Sequence, residues 1–276
     1  MRQGITALIL TRNEELALGA CIDSLEGLAE DIAVIDSDSV DSTTQVAREH
    51  GARVVPFRWN GDYPKKKEWA MRHAGVTTEW ILLLDADERV SAELADELLH
   101  IACSPPAFSA YDVPITYYWR KRRLQHGQTV YKRSFLRTGH CSFPTIPDLA
   151  AKGITEVEGH YQPMVDGAIG ITRGRILHDD PDPVTDWFAR HNRYSDWEAY
   201  LRTHPDARET VRRYRTKQGR LFERLPLKPL AIFAYNYVLR QGWKDGRVGF
   251  EYATSLAFYQ FQIGVKVREI RDGNIP

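Results

Sequence analysis

Four short strand-forming runs in the first ninety residues constrain this chain more than any other feature of it. They are residues 5–10 (ITALIL), 32–35 (IAVI), 53–56 (RVVP) and 81–84 (ILLL). Helical patterns separate them. Leu16, Leu18, Cys21, Ile22 and Leu25 repeat at roughly helical spacing behind a cap at Thr11 or Asn13. Residues 43–50 follow the capping candidates Asp41 and Ser42 and end at Gly51, and residues 65–74 end at Gly75. Strand and helix in alternation predict a parallel sheet with helices on both faces. An unbroken apolar run such as 81–84 fits a strand covered on both sides.

Three of these strands stop at polar residues: Thr11, Asp36 and Asp85. Parallel neighbours end on one rim of a sheet, which is where open α/β folds bind ligands. Three separate clusters thereby become one expected site. Asp85 and Asp87 stand two apart, so in extended chain both point to one face. There they could share a divalent cation, or divide a sugar hydroxyl and a phosphate-bound metal between them. The plainer reading is an acidic helix start, with Ser91 and residues 93–96 as its first turn. A D-x-D pattern alone is common by chance.

The chain has 276 residues, room for one large domain or a core with an appendage. It is 43% hydrophobic and 27% charged, as folded soluble proteins are. Its formal net charge is zero, so nothing global argues for nucleic acid, and none is expected as a partner. Basic clusters stand at 65–67, 120–123 and 208–224. Cys21, Cys103 and Cys141 form neither a disulfide framework nor a thiolate zinc site, and a reducing compartment is expected. The chain enters a strand at once, so no signal peptide is expected, and no apolar run reaches the ~18 residues of a membrane span. Neither G-x-G-x-x-G nor a P-loop occurs.

From residue 110 the texture changes. Strands are expected at 111–118 and 131–136, then an irregular stretch at 141–170, then a broken strand at 171–177 ending in His178-Asp179-Asp180. Residues 184–201 read as a helix whose Trp187, Phe188, Tyr194, Trp197 and Tyr200 belong to a core. The basic 208–224 stretch is followed by Pro226 and Pro229. Residues 230–239 and 250–267 are apolar and aromatic, the second broken by Glu251, Gln260 and Gln262. Two arrangements suit them: a helical hairpin on the core, or an amphipathic pair on a membrane surface. The basic lead-in favours the second.

The segments TALILTRNEE, VIDSDSVDSTTQVAREHGA, PKKKEWAMRHA and WILLLDADERV together resemble the nucleotide-sugar domain of glycosyltransferase family 2. More narrowly they resemble the branch that builds lipopolysaccharide core and related surface glycans. The match covers residues 1–120 best and runs more loosely through His178, the NRYS at 192–195 and the GWKDG at 242–246. The resemblance implies an α/β chain of GT-A (Rossmann-like) fold: a mixed, mostly parallel sheet with flanking helices, and a C-terminal helical, membrane-peripheral appendage. The domain would span 1–205, with a donor half at 1–120 and an acceptor half at 121–205, and the appendage 206–276.

Residue by residue, the resemblance gives Thr11 and Asp36 the uracil and ribose of a UDP-sugar, and Glu14 the fixing of that loop. Lys67 faces the nucleotide, Asp85 faces ribose or sugar, and Asp87 holds the metal, Mg²⁺ or Mn²⁺, with His178 completing its site. The branch carries His-Glu before the last strand, its Glu acting as general base. This chain has His160-Tyr161 there, and tyrosine is a poor base at neutral pH. Glu158 is the nearest substitute, with Asp148 and Asp166 behind it. The implied activity is a metal-dependent, inverting sugar transfer to a lipid-linked or lipid-anchored acceptor, at the inner face of the cytoplasmic membrane. A nucleotidyltransferase, or a membrane-peripheral scaffold with an impaired transferase core, are the alternatives.

Overall fold

The computed structural model describes residues 2–159, 161–214 and 227–273. His160, residues 215–224 of the basic stretch and Pro226 lie outside the described residues. The chain forms two compact units. One comprises Met1–Lys121, Thr129–Pro144 and Glu156–Pro181, the other Arg122–Gln128, Thr145–Thr155 and Asp182–Pro276.

The first unit opens with the expected alternation: β1 (Arg2–Thr11), α1 (Leu18–Asp23), β2 (Asp31–Asp36), α2 (Thr43–Glu49), β3 (Arg53–Pro56), α3 (Lys66–His73) and β4 (Thr78–Asp85). It continues with β5 (Glu88–Val90), α4 (Ala92–Ala102), β6 (Ala110–Trp119), β7 (Val130–Arg137), β8 (Ile169–Ile171) and β9 (Ile176–His178). The sheet runs β3-β2-β1-β4-β7-β6-β9-β5, with β8 also on β6. Its first four strands are all parallel. β7 lies antiparallel between β4 and β6, β9 is parallel to β6, and β5 closes the edge antiparallel to β9. The sheet is therefore mixed and mostly parallel, with helices flanking it.

The core follows from the apolar runs. Ile5, Ala7, Leu8 and Ile9 of β1 and Trp80 to Leu84 of β4 are all buried, as strands covered on both faces require. Trp80 stacks on Phe135 of β7 with ring centroids 4.6 Å apart. Gly51 and Gly75 follow α2 and α3 with φ of +79° and +70°, a left-handed turn that a Cβ would strain.

Three local expectations change. The helix expected behind Thr11 or Asn13 starts only at Leu18. Asn13 is itself left-handed, with φ 57°, and its Oδ1 accepts the Val40 N–H at 2.9 Å. The acidic run after β4 turns at Ala86-Asp87 into β5, and the helix begins later, with the Ser91 hydroxyl accepting the Leu94 N–H. The strand expected at 171–177 is two strands, β8 and β9. Glu97 of α4 takes the N–H groups of Arg173 and Gly174 away from the sheet, and Gly174 lies against the Leu94 backbone, where a Cβ would meet it at 2.3 Å.

The second unit is helical: α5 (Val184–Thr203), α6 (Pro205–Tyr214), α7 (Lys228–Phe233), a π-helical turn at Ala234–Leu239, a 3-10 turn at Gly242–Asp245, and α8 (Gly246–Arg271). The 205/206 boundary expected from the sequence falls in the first turn of α6. Ala199 of α5 packs on Ile263 and Val267 of α8. Of the α5 aromatics expected in a core, Trp197 is buried and gives its indole N–H to Asp148, whereas Phe188 is exposed. No helix among the described residues is long and apolar enough to cross a membrane.

Candidate active site

β1, β2 and β4 are parallel neighbours, so their C-terminal ends form one rim. Thr11 is in register with Asp36, and Leu10 with Asp85. The Thr11 hydroxyl donates to Asp36 at 3.1 Å, and the Ser39 N–H donates to the other Asp36 oxygen at 3.0 Å. The loops behind β1 and β2 are tied together. The Glu14 N–H donates to the Thr43 hydroxyl at 2.7 Å, and the Ser42 N–H to Glu15 at 2.9 Å. Thr11 and Asp36 are thus held on a platform of two loops cross-tied by hydrogen bonds.

α3 brings two lysines to this rim, and they divide the work. Lys66 is buried. Its ammonium donates to the Thr11 carbonyl at 2.6 Å and lies 3.5 Å from Glu156, and burial pushes its pKa below the usual lysine value. It is a strut between α3 and β1. Lys67 is only half-buried, and its charge is one of those that act on Asp85.

Glu158 takes a structural position. Its two carboxylate oxygens accept the backbone N–H groups of Lys67 and Glu68 at 2.8 and 2.9 Å. These are orphan donors of the first helical turn, so a residue far along the chain caps α3. Glu158 is 4% exposed, and burial raises its pKa against the pull of those hydrogen bonds and of Lys67. Of its substitutes, Asp148 belongs to the second unit and is buried against Trp197, and Asp166 is exposed.

The turn after β4 gives the two aspartates different direct partners. Asp85 accepts a hydrogen bond from Lys132 of β7 at 2.7 Å. Burial alone would raise its carboxyl, but Lys132, Lys67 and His178 outweigh it and hold it well below the usual carboxylate range. Lys132 also donates to Glu88, whose other contact is the Asp85 N–H at 2.8 Å. Burial would lower the Lys132 pKa, yet Asp85 and Glu88 together raise it, so the lysine is charged throughout the physiological range. Asp87 faces β9 instead. Its carboxylate is 3.3 Å from Nδ1 of His178, and the Asp179 N–H donates to its carbonyl. Burial raises the Asp87 pKa, opposed chiefly by His178.

Lys132 and Glu88 escaped the sequence reading. The available signals were weak: a lysine in the interior of a strand that is otherwise partly apolar, and an acid three residues after Asp85.

The residues present fit a hard divalent cation at the Asp87–His178 pair. Nδ1 of His178 is buried with no hydrogen-bond partner, at ion-pair distance from the carboxylate but outside hydrogen-bond geometry. Among the described residues no group of three or more His, Cys, Asp or Glu side chains forms a complete site. One carboxylate and one imidazole suit an ion that keeps several waters and takes further oxygens from a phosphate ligand.

A strand rim with the Thr11–Asp36 pair at β1 and β2, and acids at the end of β4, puts polar groups at the carboxyl edge of a sheet, the edge at which open α/β enzymes bind their ligands. The comparisons name the family. Residues 6–155 match the model of glycosyl transferase family 2, and the chain belongs to that family and is a glycosyltransferase. It is similar to a glycosyltransferase of Rickettsia typhi, 26% identical over 279 residues, covering 96% of this chain and 87% of the relative. It is likewise similar to the lipopolysaccharide core biosynthesis glycosyltransferase LpsC of Rhizobium meliloti, 28% identical over 279 residues, covering 95% and 91%.

Partial likeness extends to two solved structures. Glucosyl-3-phosphoglycerate synthase of Mycobacterium tuberculosis, in complex with Mn²⁺, UDP and glucosyl-3-phosphoglycerate, shares 23% identity over 43% of this chain and 44% of its own, at a TM-score of 0.32. For mannosyl-3-phosphoglycerate synthase of Rubrobacter xylanophilus the values are 25%, 41%, 40% and 0.34. The chain spans under half the length of either.

Proposed function

We propose that this glycosyltransferase moves a sugar, with inversion, from a nucleotide-sugar whose carrier is UDP to a lipid-anchored glycan of the lipopolysaccharide or exopolysaccharide class. The observation that carries the reading is the His178–Asp87 pair, with its unpartnered ring nitrogen, on the same unit as the hydrogen-bonded Thr11–Asp36 pair. The full-length similarity to LpsC supports the acceptor class.

In this reading Thr11 and Asp36 receive the base and ribose, and Glu14 holds the loop beside them through its backbone. Lys67 and Asp85 face the donor, Lys67 toward its negative charge. Asp87 and His178 would hold Mg²⁺ or Mn²⁺, which when bound would neutralise the diphosphate as it leaves. Glu158 enters through α3 and not as the base, since both its oxygens already accept backbone N–H groups. Proton removal from the acceptor hydroxyl then falls to another carboxylate facing the acceptor. The acceptor, being lipid-anchored, is met at the inner face of the cytoplasmic membrane.

Calorimetry with UDP plus Mn²⁺ tests the donor assignment. Binding that needs the metal is expected, and Asp87→Ala should abolish that metal-dependent binding and lower turnover by about a thousandfold or more, on the scale of losing a principal electrostatic stabiliser. Full activity in that variant would remove the metal assignment. Preference for a nucleoside triphosphate would favour a nucleotidyltransferase, and failure to bind UDP a scaffold.

A further inference from the structure

The joint between α7 and α8 is inside out. In the π-helical turn the polar Asn236 is 2% exposed, while Val238 and Leu239 are 58% and 71% exposed. Asn236 faces inward with both ends of its amide bonded: its NH2 donates to the Ile232 carbonyl at 3.0 Å, and its Oδ1 accepts the Gln128 N–H at 3.0 Å. A few residues on, Trp243 is 53% exposed, with the Lys244 ammonium 5.6 Å from the centroid of its ring. A water-facing helix places its polar residues outward, so this corner is built for a medium other than water.

The charges between these apolar side chains have one exposed sign. Arg240, Lys244 and Arg247 are exposed, although the Arg240 Nε–H donates to the Gly127 carbonyl at 3.2 Å and Arg247 pairs with Glu251, whose side chain is 24% exposed, at 2.8 Å. The acid among them, Asp245, has a side chain 6% exposed, paired with His126 at 2.8 Å and accepting the N–H groups of Gln125 and His126. Cations interleaved with aliphatic and indole groups suit the interface of an anionic bilayer, where apolar groups enter the acyl boundary and ammonium and guanidinium groups stay at the phosphates.

We propose that the corner formed by Val238, Leu239, Arg240, Trp243, Lys244 and Arg247 is a docking surface for an anionic lipid bilayer. It lies on the surface and does not span, in keeping with the absence of a spanning helix among the described residues. The inference deepens the reading of a lipid-anchored acceptor and rests on it for its purpose, but its test does not depend on the donor site.

The test is co-sedimentation of the full chain with vesicles, in parallel with UDP–Mn²⁺ calorimetry. With phosphatidylethanolamine–phosphatidylglycerol vesicles the protein should pellet, with pure phosphatidylcholine it should not, and added salt should release it. Val238→Ser/Leu239→Ser/Trp243→Ser should weaken partitioning at least tenfold with UDP binding unchanged, and Lys244→Glu alone should weaken it less. Wild-type protein that stays in the supernatant with anionic vesicles would overturn the proposal. So would a triple variant that pellets like wild type, or one whose only change in light scattering is conversion of a dimer to a monomer. Loss of UDP binding with vesicle binding intact would sink the donor reading and leave the lipid surface standing.

Discussion

Lys132 is the residue on which the acidic turn depends. Its ammonium is shared between Asp85 and Glu88, and Glu88 has a side chain only 4% exposed. Removing one partner of a buried ion pair strands the other charge, at a cost of about 3–5 kcal/mol. Lys132→Met should therefore lower unfolding stability in urea by roughly that amount, and adding Glu88→Gln should recover part of it, because the two residues are coupled. His178 sets the pH response. Burial alone would lower its pKa, but Asp87, Glu88 and Asp85 raise it above its ordinary 6.5. The folded chain then holds this proton more tightly than the unfolded one. That stabilisation is complete below the ordinary value and is lost as pH rises through the raised one. A metal needs the neutral ring, so it competes with that proton. Thermal unfolding should show metal-free stability falling as pH rises above the ordinary 6.5, and the shift given by Mn²⁺ growing over the same range. A Mn²⁺ shift that shrank with rising pH would remove His178 from the site.

At the scale of elements, α3 shows how the donor half is joined. Its extent was readable from the residues: 65–74 expected, Lys66–His73 observed. Its cap was not, because Glu158 reaches it from ninety positions away and caps are recognised in sequence only when they are local. Glu158→Ala should cost about 1–2 kcal/mol of stability, the range for a lost helix cap. Glu158→Gln keeps an acceptor and should recover much of it, with turnover retained. Loss of turnover in the Gln variant at unchanged stability would return the residue to the role of base. The break between β8 and β9 has a similar origin. Residues 171–177 read as one broken strand, and the break falls where the Glu97 carboxylate takes the backbone N–H groups of Arg173 and Gly174.

Over the whole molecule, ligand binding should stabilise the folded chain by mass action. UDP with Mn²⁺ at about a hundred times its Kd should add about 2.7 kcal/mol, read as a rise in Tm, and Asp87→Ala should abolish the metal-dependent part. The strand and helix order of the first ninety residues, the meeting of Thr11, Asp36 and Asp85 along one edge, and the family itself could all be inferred from residue order. Apolar periodicity is local, and parallel strands must end on a common rim. The partners of the acids could not be inferred that way. Asp85 and Asp87 look alike in the sequence, yet one turns to Lys132 and the other to His178, because the chain bends at Ala86-Asp87 and strands from distant segments close on each side. Which charge meets which depends on long-range strand pairing, and so did the inward face of Asn236 and the outward face of Leu239. Packing assigns those directions, and no spacing within a single segment encodes them.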